Sequence, residues 1–167
     1  MLLKSMLLVF FSFYTLDINM QKECESERDK ISGCIEKTYY TNGVLAVERP
    51  YKNGKMEGIN KVYYENGNLW HTIPYKNNEA VGIVKLYYKN GNLQAEIPML
   101  NDVLHGDLKF YAEDKEPLAL LKTTGYGIIS GKCHNGKALT EKDLMNINRR
   151  HTLNMATFLN EICSLNP

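Results

Sequence analysis

The stretch YYENGNLW, residues 63–70, recurs as YYKNGNLQ from Tyr87 and more loosely as YYTNGVLA from Tyr39, each copy 24 residues from the next. Written in rows of that length, the chain aligns Tyr39, Tyr63, Tyr87 and Tyr111. It also aligns Leu45, Leu69 and Leu93, then Pro50, Pro74 and Pro98. Gly58, Gly82 and Gly106 fall in one column, which Cys34 heads in the first row. A fixed period of this length means that each unit is one supersecondary element, stacked on its neighbours to bury a shared surface.

Each row carries two turn signals between alternating segments. Asn42-Gly43, Asn66-Gly67 and Asn90-Gly91 are the pairs favoured in two-residue type I′ hairpin turns, where both central residues need φ > 0. Asn53-Gly54, Asn77-Asn78 and Asn101-Asp102 offer the same chemistry with weaker residues. The chain is therefore expected to run as an antiparallel meander. Two-residue turns set Val62 opposite His71, Asn60 opposite Ile73, Tyr64 opposite Leu69 and Tyr63 opposite Trp70. They also set Lys37 against Glu48 and Lys85 against Glu96, and opposite charges across a ladder are worth about 0.2–1 kcal/mol per pair. One face then carries Val62, Leu69, Val84, Leu86, Leu93, Ile97 and Phe110. The other carries a Tyr39, Tyr63, Tyr87, Tyr111 column beside Lys37, Lys61, Lys85 and Lys109, together with Ile59 and Ile83. The fourth unit, AEDKEP at 112–117, lacks Asn-Gly and reads as a ragged end or a turn toward a cap.

A single sheet cannot bury its apolar face alone, and the C-terminal segment is patterned to cover it. Thr140 with Asp143 three residues on reads as a helix N-cap. Leu144, Ile147, His151, Met155, Phe158, Leu159 and Ile162 then recur at helical spacing. One helix over 141–163 would be roughly 35 Å long, enough to cross about eight strands. The expected fold is mainly β: a single-layer antiparallel meander of 24-residue β-hairpins with a C-terminal α-helix packed on it. The divisions are 1–19, a signal peptide or N-terminal anchor; 20–34, a tail; 35–122, the hairpin repeats; 123–140, a final hairpin; and 141–167, the helix.

Export follows from the N-terminus. Lys4 is the only charge before Asp17, and the apolar run at 6–16 suits a signal-peptide core while being short for a transmembrane helix. All four cysteines, Cys24, Cys34, Cys133 and Cys163, lie beyond it. An even count in an exported chain suggests two disulfides, with three connectivities open. A Cys133–Cys163 bridge would pin the helix to the last hairpin, and a Cys24–Cys34 bridge would clip the tail to the first strand. The resulting expectation is a periplasmic or envelope-associated protein.

The pattern Y-Y-x-N-G-x-L, followed by P-Y-K-N-G and a closing Gly, resembles the MORN repeat variant family. Rows Tyr39–Gly58, Tyr63–Gly82 and Tyr87–Gly106 carry the resemblance, and the fourth row joins through GDLKFY at 106–111, so that residues 34–112 are covered. The resemblance implies elongated sheets of repeated β-hairpins. It further implies a non-enzymatic scaffold for protein–protein contact, self-association and, in some members, membrane association. Bacterial members are often labelled antitoxin components of toxin–antitoxin systems, which gives the alternative of an antitoxin or immunity protein neutralising a partner toxin.

Other classes find less support. Formal net charge is +1, with 20 basic and 19 acidic side chains and no basic block, which argues against nucleic acid. No G-x-S-x-G, P-loop, H-E-x-x-H or dinucleotide fingerprint occurs. His71, His105, His134 and His151 are scattered and read as structural. Glu23, Glu25, Glu27 and Asp29 read as a solvated acidic patch. No cofactor, metal or small-molecule substrate is expected. The candidate partner-binding residues are Tyr39, Lys61, Tyr63, Trp70, Lys85, Tyr87 and Tyr111, since aromatics on a flat amphipathic patch are enriched at interfaces. The expected partner is another protein or a second copy, through the sheet face or an unpaired edge strand, with peripheral membrane contact also open.

Overall fold

The computed structural model describes residues 22–125, 127–149 and 152–164; the apolar run at 6–16 and His151 lie outside them. The strands are β1 (Cys34–Tyr39), β2 (Leu45–Lys52), β3 (Lys55–Met56), β4 (Gly58–Tyr63), β5 (Leu69–Lys76), β6 (Glu79–Ala80), β7 (Gly82–Tyr87), β8 (Leu93–Leu100), β9 (Val103–Leu104), β10 (Asp107–Tyr111), β11 (Pro117–Thr123) and β12 (Ile128–Cys133). Helix α1 (Glu27–Ser32) precedes them, and α2 (Glu141–Asn148) and α3 (Thr152–Ser164) follow. They form one antiparallel meander in the order β1-β2-β4-β5-β7-β8-β10-β11-β12, with the short β3, β6 and β9 returning on β2, β5 and β8. The expected register holds in mid-strand: Val62 faces His71, Asn60 faces Ile73, Lys85 faces Glu96 and Lys37 faces Glu48.

The expected two-residue geometry is found at the second set of turns and not at the first. In the tyrosine-containing hairpins only the glycine has positive φ, 82° at Gly43 and 87° at both Gly67 and Gly91, while the preceding Asn does not. Tyr64 N–H donates to Asn68 O at 2.8 Å and Gly67 N–H donates to Tyr64 O at 2.9 Å, closing a three-residue loop. Such loops combine an ordinary turn with a left-handed residue, which glycine adopts without a Cβ clash. The Asn side chain has its own use there: Asn66 Oδ1 accepts from Asn68 N–H at 3.1 Å. Positive φ at both turn residues appears instead at Asn53-Gly54 (53°, 72°), Asn77-Asn78 (54°, 74°) and Asn101-Asp102 (51°, 63°).

The longer loop shortens the register by one, and a bulge restores it. Tyr63 pairs with Leu69, not Trp70, and the register shifts between Val62 and Tyr63. The same shift recurs at Thr38/Tyr39, Leu86/Tyr87 and Phe110/Tyr111. A bulge leaves one residue unpaired and turns it. The equivalent bulge residue in the fourth unit, Leu118, is buried in the core.

The fourth unit is not ragged. Ala112 N–H donates to Glu116 O at 2.8 Å and Lys115 N–H donates to Ala112 O at 3.0 Å, with Lys115 at φ 78°. Asp114 and Lys115 stand where Asn and Gly stand in the other loops. The glycine column shares a positive φ, 117° at Gly58, 115° at Gly82 and 100° at Gly106. At the first two a Cβ would also lie 3.1 Å from Pro50 Cγ and 3.2 Å from Pro74 Cγ.

The C-terminal segment forms two helices rather than one. Thr140 caps α2 as expected: Asp143 N–H donates to Thr140 Oγ1 at 3.2 Å, and the Asp143 carboxylate accepts from Thr140 N–H at 2.9 Å. Asn148, the last residue of α2, ties the helix to β12 through its side chain, donating to Ile128 O and accepting from Ile128 N–H, both at 2.9 Å. Ile147, Met155, Ala156 and Leu159 pack on Leu108, Phe110, Leu121 and Ile128. The helices therefore cover the C-terminal half of the apolar face. Lys30 of α1 sits 4.6 Å from the Tyr51 ring centroid at the opposite end.

Candidate interaction face

The face opposite the helices carries three parallel rows, set by strand register. The first runs through Ile35, Pro50, Ile59, Pro74, Ile83 and Pro98, with Ile59 54% and Ile83 47% exposed. The second crosses every main strand as Lys37, Glu48, Lys61, Thr72, Lys85, Glu96, Lys109, Leu120 and Lys132. The third is the Tyr39, Tyr63, Tyr87, Tyr111 column, with Tyr39 exposed and the others half-buried. Lys61, Tyr63, Lys85 and Tyr87 are thus brought together on one surface, with Tyr39 and Tyr111 at its ends.

Ion pairing on this face runs between repeats. Glu48 faces Lys37 and Lys61 from either side, and Lys61 Nζ lies 3.1 Å from Glu48 Oε2. The Tyr63 hydroxyl donates to the same oxygen at 2.8 Å. Burial pushes the Glu48 carboxyl up, but the Tyr63 bond and the Lys61 and Lys37 charges outweigh it and hold the group below its ordinary value. Tyr63 is pushed up to about 12, first by burial and then by its bond to Glu48 and that carboxylate's charge. Two repeats on, Lys109 lies 3.7 Å and the Tyr111 hydroxyl 3.4 Å from Glu96 Oε2.

Trp70 is not part of this constellation. As the bulge residue it packs against Tyr64, with ring centroids 5.8 Å apart, and edge-on to His71 at 5.0 Å. With Tyr40, Tyr64, Glu65, Asn66 and Lys89 it lines a shallow recess. The bulge is the reason: it swings Trp70 out of the pairing that places Tyr63 beside Leu69.

The second tyrosine of each pair has a role the sequence did not show. The Tyr40 hydroxyl donates to Tyr63 O at 2.6 Å, Tyr64 to Tyr87 O at 2.8 Å and Tyr88 to Tyr111 O at 2.8 Å. The turn asparagines reach the same way, Asn66 Nδ2 to Lys89 O at 2.9 Å and Asn68 Nδ2 to Lys89 O at 2.8 Å. The repeated octet therefore fastens each hairpin to the next. Its spacing of two adjacent tyrosines was the available signal, since adjacent strand residues must point to opposite faces.

Both lateral edges are partly closed. Lys22–Cys24 lie along β1, with Ile35 N–H donating to Lys22 O at 2.8 Å and Cys24 N–H to Ile35 O at 3.0 Å. The Cys24–Cys34 disulfide holds that clasp. At the other edge Leu139 N–H donates to Gly131 O at 2.9 Å and Cys133 N–H to Lys137 O at 2.8 Å. The Cys133–Cys163 disulfide ties this corner to α3. On the apolar face, mid-sheet and beyond the reach of α2 and α3, lies a groove of about 470 Å³, open among the described residues and lined by residues that include His71, Ile73, Val84, Leu86 and Met99. Among the described residues no acid, histidine or cysteine cluster could hold a metal, and no helix is long and apolar enough to cross a membrane.

The family model described as MORN repeat variant matches residues 35–53, 56–77 and 80–101, the three phased hairpins. These hairpins are MORN repeats. Repeats of this kind are often protein-interaction or membrane-binding modules, and the family is typically non-catalytic. A search of curated proteins gives no match. Among solved structures, one chain of "Crystal structure of accessory secretory protein 1,2 and 3 in Streptococcus pneumoniae" aligns at 9% identity with a TM-score of 0.42, covering 79% of this chain and 25% of that one. The present chain thus spans about a quarter of that chain's length, and a likeness that loose carries no argument about function.

Proposed function

We propose that this MORN repeat protein is an exported, non-enzymatic interaction module that holds a protein partner, or a second copy of itself, on its open Tyr/Lys face. The observation that carries the reading is the asymmetry of the sheet. Helices cover half of one face, short clasps occupy both edges, and on the opposite face no element among the described residues covers the ordered apolar, charged and aromatic rows. Exposed Ile59 and Ile83 beside half-buried tyrosines make an amphipathic surface of the composition enriched in interfaces. The two disulfides favour an oxidising compartment. The edges, partly occupied, favour docking on the face over strand addition.

The test is in-cell crosslinking from a photoreactive amino acid placed singly at Ile59, Ile83 or the loop residue Glu65. Discrete adducts from the two isoleucine positions and none from Glu65 are expected. Adducts from Glu65 alone, or from no position, would overturn the reading. Neutralisation of a toxin is the competing outcome: deletion of the gene alone would then be toxic, and the adduct would contain that toxin.

A further inference from the structure

The charged row contains one carboxylate site that the molecule fills twice and leaves vacant once. In the first unit Glu48 is held by Lys61 and the Tyr63 hydroxyl at 3.1 and 2.8 Å. In the third, Glu96 is held by Lys109 and the Tyr111 hydroxyl at 3.7 and 3.4 Å. The second unit presents the matching Lys85 and Tyr87, but Thr72 stands where the glutamate would be, directly opposite Lys85. The side chains of Thr72, Lys85 and Tyr87 make no hydrogen bond or ion pair with another described residue. Lys61 flanks Thr72 from the other side, and Lys85 has Glu96 opposite it on β8 without forming an ion pair with it.

We infer that this vacancy receives an aspartate or glutamate side chain of a protein partner, held by Lys85 Nζ and the Tyr87 hydroxyl as Glu48 is held by Lys61 and Tyr63. The inference rests on the reading of this face as an interaction surface and names the chemistry it selects. Threonine ends short of where a glutamate carboxylate would reach, so the acid comes from above the sheet. The row beside it is apolar, with Ile59 and Ile83 exposed and Pro74 between them. The matching motif is therefore an isolated acidic residue next to apolar ones. Spacing favours a polypeptide over a lipid surface. Glu48 and Glu96 lie two strands to either side, about 10 Å away. A layer of closely spaced phosphates would press anions against both, whereas a single carboxylate avoids them.

The native protein is titrated with a fluorescein-labelled peptide that carries a single Glu between Leu and Ala residues, followed by anisotropy, with the peptide that has Gln in place of that Glu as control. Thr72→Glu writes in the residue that the neighbouring repeats carry, so the sheet is expected to keep its melting temperature. It should weaken the acidic peptide by about tenfold, the loss of one charge-assisted contact. Lys85→Gln should do the same, and Thr72→Ala, which keeps the space open, should bind nearly as the native chain does. Equal binding by native protein and Thr72→Glu, or equal loss in Thr72→Ala and Thr72→Glu, would overturn the inference. Binding to phosphatidylglycerol vesicles without binding to the peptide would overturn it in favour of a membrane. If Ile59 and Ile83 still crosslink in cells while Thr72→Glu has no effect, the inference alone fails and the interaction face stands.

Discussion

The Tyr64 hydroxyl donates a 2.8 Å hydrogen bond to the carbonyl oxygen of Tyr87, 23 residues on in the next hairpin. Tyr40 and Tyr88 do the same to Tyr63 and Tyr111. In a repeat protein, stability is approximately the sum of unit terms and nearest-neighbour interface terms, and these bonds belong to the second kind. Tyr64→Phe keeps the ring against Trp70 and removes only the bond. It should cost about 0.5–1.5 kcal/mol, read as a lower urea midpoint with an unchanged slope.

Lys115 occupies a left-handed position that glycine holds in three of the other loops, with φ 78° against 87° at Gly67. Non-glycine residues pay roughly 1 kcal/mol or more there. Lys115→Gly should therefore raise the melting temperature. Gly67→Ala should lower it by a comparable energy, and its cause is purely backbone because nothing lies within 4 Å of the added Cβ. Calorimetry of the two variants checks both signs.

The sequence showed the repeat, the meander, the mid-strand register and the division into two faces, because side-chain alternation and a fixed period leave few alternatives. It misassigned what depends on one residue of loop length. Asn66-Gly67 reads identically in a two-residue turn and in a three-residue loop with a left-handed glycine. Only the compensating bulge, invisible in composition, decides that Trp70 joins Tyr64 rather than Tyr63. The fourth loop was missed because Asp114 and Lys115 perform the Asn-Gly geometry with residues that do not advertise it. The break after Asn148 leaves no mark in the apolar spacing, which continues through it as Ile147, His151 and Met155.

His71 gives a pH dependence whose sign follows from its surroundings. Burial lowers its folded pKa below the ordinary 6.5, so the folded chain resists the proton that the unfolded chain accepts. As pH falls below about 6.5 the unfolded state binds more protons, and stability declines with acidification. The urea midpoint should therefore fall between pH of about 7.5 and 5.5, and His71→Phe should flatten that slope. Glu48, held below its ordinary 4.5, contributes stability that is lost only at lower pH, as its carboxylate takes up a proton.

The two disulfides differ in the chain they close. Cys133 and Cys163 are 30 residues apart and Cys24 and Cys34 are 10 apart. Loop-closure entropy assigns about 3.6 and about 2.7 kcal/mol respectively. Replacing Cys133 and Cys163 together by Ser should lower stability more, and should loosen α3, whose Cys163 end is anchored there. Replacing Cys24 and Cys34 should release the clasp on β1 and raise amide exchange at Ile35 and its neighbours before it affects the global melt.

The compartment and the covalent state can be read together. Intact mass is measured on the native protein from fractionated cells, with thiols alkylated before or after reduction. The account predicts a chain in the envelope or secreted fraction in which no thiol is alkylated until reduction, after which all four are. A chain in the cytosol with four free thiols would contradict it.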